Sequence, residues 1–194
     1  MSLPVMEGMQ DMAKSTIREY IEAFVIAVAL ALFIITFIAQ SFLVQGSSME
    51  PSLHDRQRLL VDKLSYRFVD PKRGEVVVFR YPADRRRKFI KRIVGLPGDE
   101  ISIRNGFLYI NGTRVEESFV NGPTYGPYSS PVFGPVVVPE ESFFVMGDNR
   151  RNSDDSRYPD VGFVHRSDIV GVARFAYWPI TQIQVLRIPS GYPQ

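Results

Sequence analysis

"EISIRNGFLYINGTRV", residues 100 to 115, decides the fold class. Successive residues of a strand face opposite sides, so the alternation of Ile101, Ile103, Leu108 and Ile110 with polar or aromatic neighbours is a half-buried ladder. The Asn105-Gly106 pair at its centre is the dipeptide of a two-residue hairpin turn, whose two central residues both take positive φ. Asn111-Gly112 gives the same signal again. Working outward, similar short runs recur as "RLLVDKLSY" (58–66), "EVVVFRY" (75–81), "FIKRIVG" (89–95), "PVVVPEESFFVMG" (135–147) and "DIVGVARFAYWPI" (168–180). They are rich in Val, Ile, Phe and Tyr and are punctuated by Gly, Pro, Asp and Asn. The expected fold is mainly β, an antiparallel sheet system or open barrel. Residues 113–135, rich in Gly, Pro, Ser and Tyr, read as a long excursion rather than a second domain.

A different pattern precedes the strands. Residues 23–39, "AFVIAVALALFIITFIA", contain no charge, and none follows until Glu50. As a helix, residues 23–39 span about 26 Å, and extension to Val44 gives about 33 Å, bracketing a hydrocarbon core of roughly 30 Å. The sequence thus divides into an amphipathic or frayed tail (1–22), a transmembrane anchor (23–44) and a main domain (45–194). A cleavable signal peptide is the rival, since "AQS" (39–41) has cleavage-site spacing, but the run is longer than the usual h-region of about 7 to 15 residues. Lys14 and Arg18 on the N-terminal side place that end in the cytoplasm and the main domain outside. The absence of cysteine removes disulfides and thiol nucleophiles, and a net charge of +2 gives no argument for nucleic acid.

Three stretches carry chemistry-bearing residues. "VQGSSMEPSL" (44–53) places two serines in a Gly/Pro-bounded bend directly after the anchor. A serine nucleophile needs a base and N–H donors for the oxyanion. The chain has two histidines, His54 and His165, both in surroundings that read as exposed. "KFIKRIVGLPGDE" offers a lysine instead: strand alternation sets Lys91 on one face with Phe89 and Ile93. Burial there would lower its pKa from about 10.4, by up to roughly 3 to 5 units. A snorkelling surface lysine is the alternative on this stretch alone. "MGDNRRNSDDSR" (146–157) crowds acids, amides and hydroxyls into a loop suited to a hydrogen-bonded scaffold. It lacks the EF-hand spacing, and no metal is expected there.

Together the three stretches resemble the type I signal peptidases, the membrane-bound Ser/Lys peptidases of bacteria. "GSSMEPSL" is similar to that family's serine box, "FIKRIVGLPGD" to its lysine box, and "GDNRRNSDDSR" to its Gly-Asp-Asn box, in family order and after one span. The resemblance implies a mainly β catalytic domain with a small β cap at about residues 100–138, and an enzyme that removes signal peptides after Ala-x-Ala-type sequences. It implies Ser48 as nucleophile, Lys91 as general base, Ser153 as the group orienting the lysine, and Asp155 with Arg157 as a brace. Phe42, Val44, Met49, Leu53 and Ile90 match positions that narrow the substrate pockets. Gly46 stands where some members carry a serine that donates to the oxyanion. No cofactor, metal or nucleic acid is implied. The expected partners are secretory precursors and membrane lipids, and the expected state is a monomer in the cell membrane. The run "DRRRK" (84–88) reads as a solvated hairpin tip, with anionic lipid head groups as the alternative contact.

Overall fold

The computed structural model describes residues 4–192. It separates into two compact units, with the division between Ala39 and Gln40. The first contains the helix α1 (Pro4–Phe33), which ends in a π-helical turn at Ile34–Ile38. Within it Ile17–Ile38, 22 residues, is long and apolar enough to cross a membrane, spanning about 33 Å. Its large apolar side chains are exposed, as in a helix that is hydrophobic all round.

The helix differs from its expected bounds at both ends. The described part of the tail, from Pro4, is already helical, and residues 1–3 lie outside the described residues. At the other end the helix stops at Ile38 rather than continuing to Val44. Ala39 turns to φ −140°, and Ala39–Leu43 forms the strand β1. A neighbouring strand offers this segment an alternative set of backbone partners.

The second unit is built from β2 (Arg58–Asp62), β3 (Val76–Tyr81), β4 (Asp84–Gly95), β5 (Glu100–Arg104), β6 (Phe107–Ile110), β7 (Thr113–Arg114), β8 (Val132–Val137), β9 (Ser142–Met146), β10 (Val164–His165), β11 (Ile169–Trp178) and β12 (Gln184–Val185). The larger sheet runs β1-β2-β11-β3-β4-β9-β10, with β12 on β11, and the smaller runs β7-β6-β5-β8. This is the mainly β, antiparallel architecture expected from the sequence.

The apolar run Val76–Phe79 has a plain cause. Val76 and Val78 pack into one core cluster while Val77 and Phe79 pack into another, so β3 is covered on both faces. The smaller sheet shows the complementary case. Ile101 and Ile103 lie opposite Ile110 and Leu108 and share a core with Phe144 and Met146 of the larger sheet. Burying these four aliphatic side chains contributes roughly 6 to 12 kcal/mol before conformational entropy is set against it. Both Asn-Gly turns have positive φ at both positions: 50° and 86° at 105–106, 51° and 77° at 111–112. Each joins neighbouring strands without an intervening residue.

The run 84–88 is exposed beside the hairpin turn, as expected of a solvated tip, but it belongs to β4: Asp84 and Lys88 pair with β3 and residues 85–87 bulge between them. β4 begins at Asp84, the turn is Pro82-Ala83, and Arg80 pairs with Lys88 in the β3–β4 register.

Candidate active site

The bend after β1 is held by its own backbone. Val44 N donates to Gln57 O at 2.8 Å, Arg56 N donates to Val44 O at 2.9 Å, and Leu53 N donates to Met49 O at 2.9 Å. Gly46 sits at φ +85°, a left-handed conformation that costs a residue with a Cβ about 1 to 2 kcal/mol, and its N–H donates to Asp55 Oδ1 at 2.8 Å. Beneath the bend, Met49 and Leu53 are buried in the core cluster that also holds Val44. The bend therefore has a packed floor, and Ser48 is presented above it.

Opposite stands Lys91 on β4, 4% exposed. Its Nζ donates to Ser48 Oγ at 2.8 Å and lies 5.3 Å from the centre of the Phe89 ring. Burial pushes the Lys91 amine down to about 8, with Arg157 acting in the same sense, against the opposing pull of Asp155, Asp154 and Asp148. The two-residue period of β4 thus puts Lys91 beside Phe89, while the covering elements make the site dry.

The loop after β9 locks these two strands together. Asn149 N donates to Ser48 O at 3.0 Å, Asn149 Nδ2 to Ser47 O at 3.1 Å, and Asn152 Nδ2 to Ser47 Oγ at 2.8 Å. Asp148 is wholly buried and receives a two-pronged contact from Arg92, Nε at 2.8 Å and Nη2 at 2.6 Å. Sequence reading singled out the crowded polar loop but gave Arg92, Asp148, Asn149 and Asn152 no individual partners. Asp148 pairs with Arg92 of β4 and the two asparagines with the serine bend, far away along the chain.

Asp155 and Arg157 form the expected pair, Nε to Oδ1 and Nη2 to Oδ2 both at 2.8 Å, and Gly147 N adds a donor at 3.0 Å. Burial alone would raise the Asp155 carboxyl; the Arg157 hydrogen bonds and charge, with the Gly147 N–H, outweigh it and hold the carboxyl below its usual range. Ser153 Oγ is buried and makes no hydrogen bond of acceptable geometry, to Lys91 or to any other group. Its dipole still lies near enough to Asp155 to help keep that carboxylate ionised. Gly147 is required by contact: a Cβ there would stand 2.3 Å from both Ser153 Oγ and Ser48 O.

Ser48 and Lys91 open onto a groove of about 680 Å³ between the β1 end and the first half of β4. Phe42, Val44 and Ile90 line it. Met49 and Leu53 do not; they form the floor below, because the helical twist of the bend turns them inward. The histidines stand elsewhere: His54 Nδ1 faces Glu50 at 3.8 Å, and His165 Nδ1 pairs with Ser167 Oγ at 2.8 Å.

A serine hydroxyl in contact with a dry amine, at the head of an open groove, is a pair that can do nucleophilic chemistry without imidazole. Residues 17–178 match the family model described as signal peptidase, peptidase S26. A Synechocystis protein named "Probable signal peptidase I-2" is 42% identical over 89% of this chain and 78% of its own length. A signal peptidase I of Bacillus amyloliquefaciens is 40% identical over 88% of this chain and 93% of its own. A solved signal peptidase I from Enterococcus faecalis is 32% identical, covering 54% of this chain and 97% of that one, with a TM-score of 0.44. The chain belongs to the signal peptidase family, peptidase S26. Its activity is that of a signal peptidase, and its substrates are precursors that carry signal peptides.

Proposed function

We propose that this peptidase is anchored in the cell membrane by one span, works on its outer side, and cuts by acyl transfer with Ser48 as nucleophile and Lys91 as general base. The observation that carries this reading is the 2.8 Å contact between a nearly dry amine and a hydroxyl. A neutral amine has two hydrogens and one lone pair, so the same contact reverses when Oγ–H donates to Nζ. Lys91 then takes the Ser48 proton as Oγ bonds to the scissile carbonyl carbon. The resulting ammonium returns that proton to the leaving amine, which departs as the new N-terminus of the mature protein. Water, deprotonated by Lys91, attacks the acyl-serine; the signal peptide leaves with a free carboxylate and Ser48 regains its hydrogen.

The oxyanion falls to the Ser48 N–H, which has no protein acceptor among the described residues. Gly46 brings no hydroxyl, and its own N–H is engaged by Asp55. The substrate lies extended in the groove, adding a strand between β1 and β4. Phe42, Val44 and Ile90 then narrow the pockets for the first and third residues before the cut, leaving room for Ala-sized side chains. Lys14 and Arg18 set the N-terminus on the cytoplasmic side, with residues 45–194 outside.

A labelled Ala-x-Ala precursor in detergent tests the assignment. Ser48→Ala and Lys91→Ala should each lower kcat by at least about a thousandfold. Full cleavage by either variant would refute the roles of nucleophile and base.

A further inference from the structure

The groove continues past the Ser48–Lys91 pair along the first half of β4, and there its wall changes character. Arg86, Arg87 and Lys88 line it, with Asp154 as the one acid among the groove's lining residues. Among the described residues none of these three cations has an ion-pair partner, whereas the neighbouring Arg85 is drawn away by Asp168 at 3.3 Å. Two of the three cationic heads, those of Arg87 and Lys88, are held by rings. The Arg87 guanidinium sits 5.3 Å from the centre of Tyr81 and 5.2 Å from that of Phe89, and those two rings stack at 4.5 Å. Lys88 Nζ reaches across the groove to within 5.3 Å of the Phe42 ring, so it joins the β4 wall to the β1 wall. Cations fixed by ring contacts and lacking a carboxylate make a field that an arriving acid completes.

We propose that Arg86, Arg87 and Lys88 form a second, electrostatic determinant of cleavage, favouring Asp or Glu about four residues before the scissile bond and disfavouring Lys or Arg there. The position follows from strand geometry. Lys88 lies three residues before Lys91, about 10 Å along the regular part of β4, with Arg87 just beyond it where β4 bulges from its β3 register, and a substrate strand laid beside β4 covers that distance in three to four residues. The inference rests on the assignment of Ser48 and Lys91 and on the groove as the seat of the residues before the cut. Anionic lipid is the less favoured occupant, because the Arg87 and Lys88 head groups are turned onto rings of the groove and its neighbouring strand.

The test uses the purified full-length chain in nonionic detergent with Ala-x-Ala peptides differing only at the fourth residue before the cut: Glu, Gln or Lys. The expected kcat/KM ratio of Glu to Lys peptides is about fivefold or more, falling toward one in about 0.5 M NaCl. In an Arg87→Gln/Lys88→Gln double variant the ratio should collapse to near one. Because it is a ratio, loss of folded enzyme does not move it. Moving the charge to the fourth residue after the cut should abolish the preference in the native chain. A native ratio of one, or a ratio unaltered in the double variant, overturns the proposal. So does a ratio of one combined with binding to anionic vesicles that the variant loses, which assigns the wall to lipid. Failure of the native chain to cut even the Gln peptide overturns instead the underlying Ser48–Lys91 reading, so the two failures are distinguishable.

Discussion

Lys91 concentrates a large electrostatic cost in one buried side chain. Its pKa falls from 10.5 to about 8 because burial penalises the ammonium, a shift equivalent to about 3 kcal/mol. Below pH 8 folded and unfolded chains both hold the proton, and the folded state carries the full cost of a dry charge. Between pH 8 and 10.5 the unfolded chain binds the proton that the folded one has shed, so stability rises with pH across that window. The Lys91→Met variant should therefore be inactive yet about 1 to 3 kcal/mol more stable at pH 7, as read by urea unfolding. In the native chain kcat/KM should climb with pH and level off above about 8; a profile flat from pH 6 to 9 would show that another group is the base. Arg157→Ala leaves the Asp155 carboxylate buried without its partner and should cost about 3 to 5 kcal/mol. Ser153→Ala removes a buried hydroxyl that supports the Asp155 carboxylate, so stability should fall by under about 1 kcal/mol in the same assay.

At the scale of elements, the site depends on how closely the loop after β9 approaches the serine bend. Gly147 permits that approach. Gly147→Ala should push the Ser48 carbonyl and Ser153 apart from the loop, costing about 1 to 3 kcal/mol and a larger share of activity. Gly98→Ala is the matched control, with φ +83° but no atom near its Cβ, so it carries backbone strain without displacement of the site. Melting temperature and peptide cleavage measured together separate the two. Much of this level was legible beforehand: the Asn-Gly hairpins, the alternation of β5 and β6 and the continuous β3 run each follow from residues adjacent in the chain. The extent of β4 was not. "DRRRK" has the composition of a solvated tip and is exposed as one, and only the pairing of its two ends with β3 draws it into the strand. The end of α1 was similarly hidden, since Ala39–Leu43, although it contains Gln40 and Ser41, carries no charge, Gly or Pro to end a helix, and a partner strand decided its state.

At the scale of the whole molecule, two units share one chain, one holding an apolar helix that fits a single-pass anchor and the other holding the groove. The second unit, Gln40–Gln194, has its own cores and sheets. A chain lacking residues 1–39 is therefore expected to fold and to cut a soluble peptide within about tenfold of the full chain, while losing cleavage of membrane-embedded precursor in vesicles. Equal processing of both substrates by the shortened chain would remove the anchor from the mechanism.

Chain-local patterns determined the β class, the apolar helix, both hairpins and the three polar stretches, because period and turn chemistry act between residues a few positions apart. Ser48 and Lys91 were named as a pair only by the likeness of those stretches to the family's boxes, which said nothing of their contact. The tertiary structure alone decided that two atoms 43 residues apart in sequence stand 2.8 Å from each other, that Lys91 is dry, that Met49 and Leu53 lie under the groove, and that three cations face into it. Desolvation and long-range hydrogen bonding depend on what covers both faces of a strand, and that cover comes from segments no local pattern contains.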